Sequence, residues 1–168
     1  MINVFLRNIV RFFFLVLLQV LVLNHVHLFS LYNPFFYLLF IVLLPFETNK
    51  LLVLLLGFVL GLSIDIFSNT LGLHTTATVF VAFIRPLILN LLAPREGYEP
   101  GSFPRVHYYG WTWFLRYSFI LTLVHALIIY TLEFFNVQEL GQILKHSLIS
   151  TLFTTVLLLI SQFFIFRK

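Results

Sequence analysis

The chain has 168 residues, of which 61% are hydrophobic and only 10% are charged. This balance excludes a water-soluble domain and indicates an integral membrane protein with one compact domain. The ten basic residues outnumber the six acidic ones. We interpret this excess as membrane topology rather than nucleic-acid binding, because Lys and Arg collect in the cytoplasmic loops of membrane proteins. The absence of cysteine excludes disulfides, thiolate metal sites and a cysteine nucleophile.

Six apolar segments predict an all-α fold with six transmembrane helices in a single domain, residues 1–168. Each segment is near the length that a bilayer requires, and each must be helical because backbone groups in lipid need partners within the protein. The second segment is the shortest, with Pro34 near its start and Pro45 near its end. The N-terminal arginines and apolar run resemble a signal peptide, but no small-residue cleavage site follows, so we predict an uncleaved first span. The predicted spans are, to within several residues, 9–26, 31–46, 50–67, 71–92, 111–135 and 143–166.

The distribution of basic residues predicts that both termini are cytoplasmic. With the N-terminus inside, the outer loops are residues 27–31, 68–70 and 136–142, and they contain no Lys or Arg. The one sizeable loop, residues 93–110, then lies in the cytoplasm. It is either a solvated connector with interfacial aromatic residues or a docking surface for a partner. The basic residues on the predicted inner side are Arg7, Arg11, Lys50, Arg95, Arg105, Arg116, Arg167 and Lys168.

Three residues of the third span, Gly57, Gly61 and Asp65, follow one another at intervals of four and therefore share one helical face. Glycines one turn apart allow a second helix to approach closely, so this face packs against another helix of the chain or against a helix of another protein. A carboxylate within a span is costly and faces protein or water rather than lipid. Asp65 is therefore either a structural carboxylate, which caps the following turn or pairs with His74 or Lys145, or a polar site for a partner or solute.

Arg85 and Pro86 form a second polar feature, in the fourth span. Pro86 frees the carbonyl of Ala82, which predicts a kink. Arg85 is predicted to extend toward the inner surface or to bond the freed backbone, with a functional basic site as the alternative. On this topology Arg85 and Asp65 differ in depth by about 15 Å, so we do not expect them to pair.

Polar side chains also occur within the fifth and sixth spans. We expect His125 to be a hydrogen-bonded packing residue, because a proton relay needs a second titrating group at its level and the sequence shows none. The hydroxyl residues of the sixth span share one face, which we expect to pack against a neighbouring helix, with a polar cavity as the alternative. No catalytic or phosphate-binding motif is present, and we expect neither enzymatic activity nor a cofactor. The hydroxyl residues are Ser147, Ser150, Thr151, Thr154, Thr155 and Ser161.

The segment from Gly61 to His74, followed by Phe83-Ile-Arg85-Pro86, resembles the rod shape-determining protein MreD family, especially its members from Bacteroidetes. The shared order is Gly61-x-x-x-Asp65 and then Leu71-Gly72-Leu73-His74. The specific match covers about residues 57–92, and the remainder agrees in hydropathy and length. Gly57 is a candidate for packing or partner contact because of the glycine spacing. The matched positions are candidates for fold integrity or partner contact: Gly61, Asp65, Gly72, His74, Arg85 and Pro86.

This resemblance implies a six-helix domain similar to the substrate-binding components of energy-coupling-factor vitamin transporters. It also implies a non-enzymatic role in cell shape and peptidoglycan elongation at the bacterial inner membrane. The implied partners are an MreC-like membrane protein and, through it, an MreB-like filament, RodZ and peptidoglycan synthases. The family has no established catalytic residues to carry over.

Two functions follow as hypotheses. The first is a scaffold whose face with Gly57, Gly61 and Asp65 holds a partner helix. The alternative is a solute-binding component of a transporter, in which Asp65 and the hydroxyl face of the sixth span line an outward-open cavity. A ligand pocket needs several convergent polar groups, and the outer ends of the predicted spans supply few.

Overall fold

The computed structural model describes residues 2–24 and 33–165. Within these residues all regular structure is helical, and five helices are long and apolar enough to cross a membrane. The prediction of an all-α multi-pass membrane protein is confirmed, whereas the count of six spans is not. The helices are α1 (Ile2–Leu18), α2 (Leu39–Val42), α3 (Lys50–Ser68), α4 (Leu73–Leu91), α5 (Val106–Phe134) and α6 (Leu140–Ile165).

The five long helices lie close to predicted apolar segments. A π-helical turn, Gln19–Leu23, continues α1, while residues 25 and 26 of the predicted first span lie outside the described residues, as does residue 166 of the last one. The backbone of α5 is broken at Gly110, where φ is +78°. The continuous part of α5 therefore begins at Trp111, where the sequence predicts the fifth span.

The predicted second span has a different form from the others. Residues 31 and 32 lie outside the described part, and between 33 and 46 only the 3-10 turn Phe36–Leu38 and α2 are helical. These seven helical residues rise by about 12 Å, well short of the roughly 30 Å hydrocarbon core. We call residues 33–46 the buried segment, because every residue from Tyr37 to Leu44 is at most 5% exposed. Irregular backbone is tolerated at membrane depth when surrounding protein supplies its partners.

The buried segment returns the chain to the end of the bundle at which α1 begins. Near its start, the Phe36 backbone N–H donates to Gln19 Oε1 at 3.0 Å, in the turn that ends α1. At its other end, Phe46 stacks on Tyr98 of the loop after α4, with ring centroids 4.2 Å apart. The segment thus runs antiparallel to α1, and α3 starts where α1 starts.

The start of α1 and the end of α6 lie on the same side of the bundle. Asn24, just after the π turn, donates to Ser68 Oγ at the end of α3 at 2.8 Å, as expected for parallel α1 and α3. At the opposite end, the Arg7 guanidinium lies 5.9 Å from the Phe103 ring centroid in the loop after α4. Arg7 and Phe164, near the end of α6, line one groove. We call the end of the bundle that carries Arg7 the basic end.

The loop between α4 and α5 is anchored to the basic end by aromatic rings. Tyr98 packs on Phe46 and donates from Oη to the Leu89 carbonyl at 2.7 Å. Burial raises the pKa of Tyr98 from its ordinary value of 10.0 to about 12. The Gly101 N–H donates to Glu47 Oε1 at 3.1 Å. The loop is packed at these points, while its charged side chains at 95, 96 and 99 are exposed.

Candidate functional site

Two glycines make the contact between α3 and α4, which form an antiparallel hairpin. A Cβ atom on Gly61 would lie 2.4 Å from Thr75 Cα and 2.2 Å from Thr78 Oγ1. A Cβ atom on Gly57 would lie 3.0 Å from the Cβ of Ala82. At Gly61, then, only a missing side chain leaves room for the α4 backbone. The glycine face is occupied by α4 of the same chain, and so it offers no groove for a helix of another protein.

Asp65 ties the start of α4 to α3. The turn between the helices passes through Asn69 and Gly72 with φ of +56° and +84°. Gly72, the residue before α4, has no side chain with which to cap the helix. The Asp65 carboxylate caps it from α3: Oδ1 accepts from the His74 N–H at 3.0 Å and Oδ2 accepts from the Thr75 N–H at 2.8 Å. An anion at this position also complements the positive end of the helix dipole.

Two hydroxyl groups complete the surroundings of this carboxylate. Thr70 Oγ1 donates to Oδ1, and Thr75 Oγ1 donates to Oδ2 at 2.6 Å. The Asp65 side chain is only 3% exposed, so four donors stabilise it inside the chain. This geometry is the capping role considered from the sequence, and the described hydrogen bonds of the carboxylate go to neither the His74 ring nor Lys145.

A hydrogen-bonded bridge crosses the core from His74 to His125 through Tyr37. Tyr37 Oη lies 2.8 Å from His74 Nδ1 and 2.9 Å from His125 Nε2. Tyr37 and His125 are both 0% exposed. A phenol has one proton to donate, so one histidine accepts it and the other donates its own N–H to the phenol oxygen. The choice of donor therefore couples the tautomers of the two rings.

The expectation that no second titrating group accompanies His125 is wrong. His74 and Tyr37 both reach its level, and Asp65 lies at the backbone N–H of His74. Carboxylate, imidazole, phenol and imidazole thus follow one another across the bundle. At the far end of this series of groups, His125 Nδ1 is buried without a hydrogen-bond partner among the described residues. Because the bridge ends inside the protein, its clearest role is to fix the positions of α4, α5 and the buried segment.

Arg85 joins α4 to the end of the buried segment. Its guanidinium donates to the carbonyls of Leu44 and Pro45 and, from Nε, to Tyr117 Oη at 3.0 Å. Tyr117 in turn donates to the Val42 carbonyl at 3.2 Å. These carbonyls lie at and just after the end of α2, where helical partners are lacking. Arg85 is the described side-chain donor to the Leu44 carbonyl, while the Pro45 carbonyl also accepts from Thr48.

The structure corrects two expectations about this position. Arg85 is 2% exposed and does not extend to the surface. Its described hydrogen bonds also do not involve the carbonyl of Ala82, which Pro86 was expected to free. Pro86 itself lies within a continuous α4.

Five of the six hydroxyl residues of α6 are packed inside the bundle, whereas Ser161 lines the same groove as Arg7 and Phe164. Thr155 Oγ1 lies 3.1 Å from Thr122 Oγ1, Ser150 Oγ lies 2.6 Å from Tyr130 Oη, and Thr154 Oγ1 accepts from the Phe35 N–H at 2.9 Å. Ser161 is partly buried and donates to the Leu158 carbonyl at 2.6 Å. The remaining members of the face are at most 3% exposed: Ser147, Ser150, Thr151, Thr154 and Thr155.

Three of the residues that hold this core together were missed from the sequence: Gln19, Tyr37 and Tyr117. Gln19 is 1% exposed and joins α1 to the buried segment, donating to the Pro34 carbonyl at 2.9 Å. Each of the three is a polar side chain within an apolar stretch. That property alone marks a residue that faces protein rather than lipid.

The candidate residues divide into two groups along the bundle. Five of them lie at the seam of α3 and α4, while Arg85 and Pro86 follow His74 by at least eleven positions, which is about 16 Å along α4. Among the described residues, no group of three or more His, Cys, Asp or Glu side chains is placed to hold a metal ion. The seam group comprises Gly57, Gly61, Asp65, Gly72 and His74.

In comparisons with protein families, curated proteins and solved structures, the chain has no significant match to a family model, a relative or a structural neighbour.

Proposed function

We propose that this chain is an MreD-like, non-enzymatic membrane scaffold of the machinery for cell shape and peptidoglycan elongation. In this proposal it lies in the bacterial inner membrane with both termini in the cytoplasm and binds an MreC-like protein. Through that protein it associates with an MreB-like filament, RodZ and peptidoglycan synthases. The supporting observation is that Asp65, the one carboxylate of the resembling segment, has its hydrogen-bonding capacity used within the chain.

This observation favours a scaffold over a solute-binding component. A ligand pocket presents a few convergent polar groups to its ligand. Asp65 instead accepts four hydrogen bonds from the chain itself, and five of the six hydroxyl residues of α6 are buried inside the bundle. Both features that a solute site would use are therefore engaged in holding helices together.

The path of the chain supports a six-crossing topology as part of the same proposal. Since α1 and α3 begin at the same end of the bundle, the chain must return between them, and the buried segment provides that return. Counted with it, the chain crosses six times and brings both ends to the basic end. Basic residues concentrate on the cytoplasmic side of membrane proteins, so we assign the basic end to the cytoplasm. An arrangement similar to the energy-coupling-factor components remains part of this proposal.

The partner contacts the outer surface of the bundle in this proposal, because the glycine face is filled by α4. The outer surface of α3 is apolar and unoccupied in the isolated chain. Its large exposed side chains are Leu51, Leu52, Leu55, Phe58, Val59, Leu62, Ile66 and Phe67.

Co-purification from native membranes tests the proposal. The tagged full-length chain, extracted in mild detergent, is expected to retain an MreC-like protein that mass spectrometry identifies. Asp65→Ala, which opens the seam, is expected to lose it, and Glu133→Gln at an exposed position of α5 is expected to keep it. Recovery of transporter ATPase subunits in place of an MreC-like protein would overturn the scaffold and favour the solute-binding alternative.

A further inference from the structure

A long apolar groove separates α1 from α6 on the surface of the bundle. Its volume is about 850 Å³, which is within the roughly 300–1,000 Å³ usual for ligand sites. Its floor is formed by Phe36 and Leu39 of the buried segment. Its walls are mainly apolar side chains of the first helix and α6, such as Val10, Phe14, Leu157 and Ile160, and they include Ser161.

The groove is long enough for an acyl chain. Its lining residues on the first helix extend from Arg7 to Leu23, which at 1.5 Å per residue is about 24 Å. One leaflet contributes about half of the roughly 30 Å hydrocarbon core. A lipid tail that enters at the basic end therefore fits along the groove over its whole length.

Three arginines line the basic end of this groove: Arg7, Arg11 and Arg105. The guanidinium groups of Arg7 and Arg105 both lie over the ring of Phe103, at 5.9 Å and 5.1 Å from its centroid. Burial and the charge of Arg7 lower the pKa of Arg105. The three cations are therefore near one another and repel.

The structure supplies these arginines with little compensation. Arg105 Nε is buried without a hydrogen-bond partner, and Arg11 makes one long bond, 3.4 Å, to Asn8 Oδ1. Within residues 2–24 and 33–165, none of the three forms an ion pair with an acidic side chain. Clustered guanidinium groups without counter-charge are suited to a phosphate group, which they bind through paired, charge-assisted hydrogen bonds.

We propose that this groove binds an anionic glycerophospholipid, with its phosphate on Arg7, Arg11 and Arg105 and an acyl chain between α1 and α6. Charge decides between this occupant and a transmembrane helix of a partner, because an apolar helix leaves the three arginines without a counter-charge. The apolar length of the groove favours a lipid over a free phosphate ion. Basic pockets between transmembrane helices on the cytoplasmic side bind such headgroups in other membrane proteins. The site does not depend on the proposed function.

Native mass spectrometry of the full-length chain tests the proposal. The protein is released from bilayers that contain equal amounts of phosphatidylglycerol and phosphatidylcholine, and the retained lipid is identified. We expect retention of phosphatidylglycerol, and we expect about 100-fold weaker retention in the triple variant Arg7→Gln, Arg11→Gln, Arg105→Gln, because each basic residue contributes about fivefold. Arg95→Gln, an exposed loop residue outside the groove, is the matched control and is expected to change retention far less than the triple variant does.

A second variant keeps the test decisive if the triple variant does not fold. Val10→Trp fills the groove while it leaves the arginines in place, and Leu62→Trp adds the same bulk to an exposed position of α3 away from the groove. Only Val10→Trp is expected to lose the lipid. Equal retention of both lipids by the unaltered protein would overturn the proposal.

Two further results would also overturn it. One is thermal stabilisation by inorganic phosphate alone that equals the stabilisation by phosphatidylglycerol, since this would show a site for the free anion. The other is a crosslink, formed in native membranes, from a photoreactive residue at Val10 to a helix of another protein.

Discussion

Gly61→Ala tests the seam between α3 and α4 with the smallest possible change. The added Cβ would lie 2.4 Å from Thr75 Cα and 2.8 Å from the His74 carbonyl oxygen. Both are backbone atoms of α4, so no rotamer change relieves the clash. Ordinary contact begins at 3.4 Å, and reaching it requires the helices to separate by about 1 Å.

The expected cost follows from this displacement. Overpacking a well-packed contact costs about 1–3 kcal/mol. The same movement lengthens the two bonds from Thr75 to Asp65, and a hydrogen bond to a charged group contributes about 1.5–3 kcal/mol. Alanine is intrinsically better than glycine in a helix by about 1 kcal/mol, which offsets part of the loss. We therefore expect Gly61→Ala to destabilise the protein by about 2–4 kcal/mol.

Two matched glycines isolate the effect of the contact. At Gly57 the nearest atom would be 3.0 Å away, and at Gly141 of α6 nothing lies within 4 Å. Overpacking and propensity nearly cancel at Gly57, so we expect a change of about 1 kcal/mol or less there, and a neutral or slightly stabilising effect at Gly141. SDS titration in mixed micelles, followed by circular dichroism, measures all three. Equal midpoints for Gly61→Ala and Gly141→Ala would refute the close approach of α3 and α4.

Three further predictions concern the bridge, the buried arginine and the loop. Tyr37→Phe removes the hydroxyl that joins two histidine nitrogens, so we expect the SDS titration to show a loss of stability of about 2–4 kcal/mol. The control Tyr108→Phe, at an exposed position, is expected to lose about 0.5 kcal/mol or less. An unshifted midpoint for Tyr37→Phe would contradict the bridge. Arg85→Met removes the described donor to the Leu44 carbonyl and one donor to Tyr117, so it is expected to cost about 2–4 kcal/mol, whereas Arg95→Met should cost little. Similar midpoints for both variants would exclude the bonding described. Tyr98 contributes stability that is present below pH 10 and is lost between pH 10 and about 12, because the pKa of its phenol is 10.0 in the unfolded chain and about 12 in the folded one. Over this pH range the melting temperature should therefore fall less steeply for Tyr98→Phe than for the unaltered protein. Parallel curves of melting temperature against pH would argue against the burial of Tyr98.

The sequence predicts the long helices well because their length and hydropathy are set by the bilayer. It does not predict the form of the buried segment, since the apolar residues between Tyr37 and Leu44 have the same hydropathy whether protein or lipid surrounds them. Pro34 and Pro45 are the local signal that this stretch differs, because proline removes a backbone donor and restricts the residue before it. The predicted outer loops already imply that α1 and α3 run in the same direction, and the hydrogen bond from Asn24 to Ser68 agrees with this.

The candidate site is predictable to the extent that it rests on helical spacing. The interval of four places Gly57, Gly61 and Asp65 on one face, and the turn after Asp65 makes capping a natural role. Spacing cannot tell which helix fills the face, since α4 and a foreign helix satisfy a glycine stripe equally. The bridge is beyond spacing rules because Tyr37 lies 37 positions before His74 and 88 before His125. The depth of Tyr37 in the bundle depends on the buried segment, whose backbone is mostly irregular.

A double-mutant cycle between Asp65 and Thr75 tests most directly whether the carboxylate serves the fold. Asp65→Ala, Thr75→Val and the double variant are compared in the SDS titration. Because Thr75 Oγ1 donates to Asp65 Oδ2 at 2.6 Å, we expect a coupling energy of about 1.5–3 kcal/mol. Additive effects, together with a small cost for Asp65→Ala alone, would show a carboxylate that is free to hold a ligand and would contradict the scaffold.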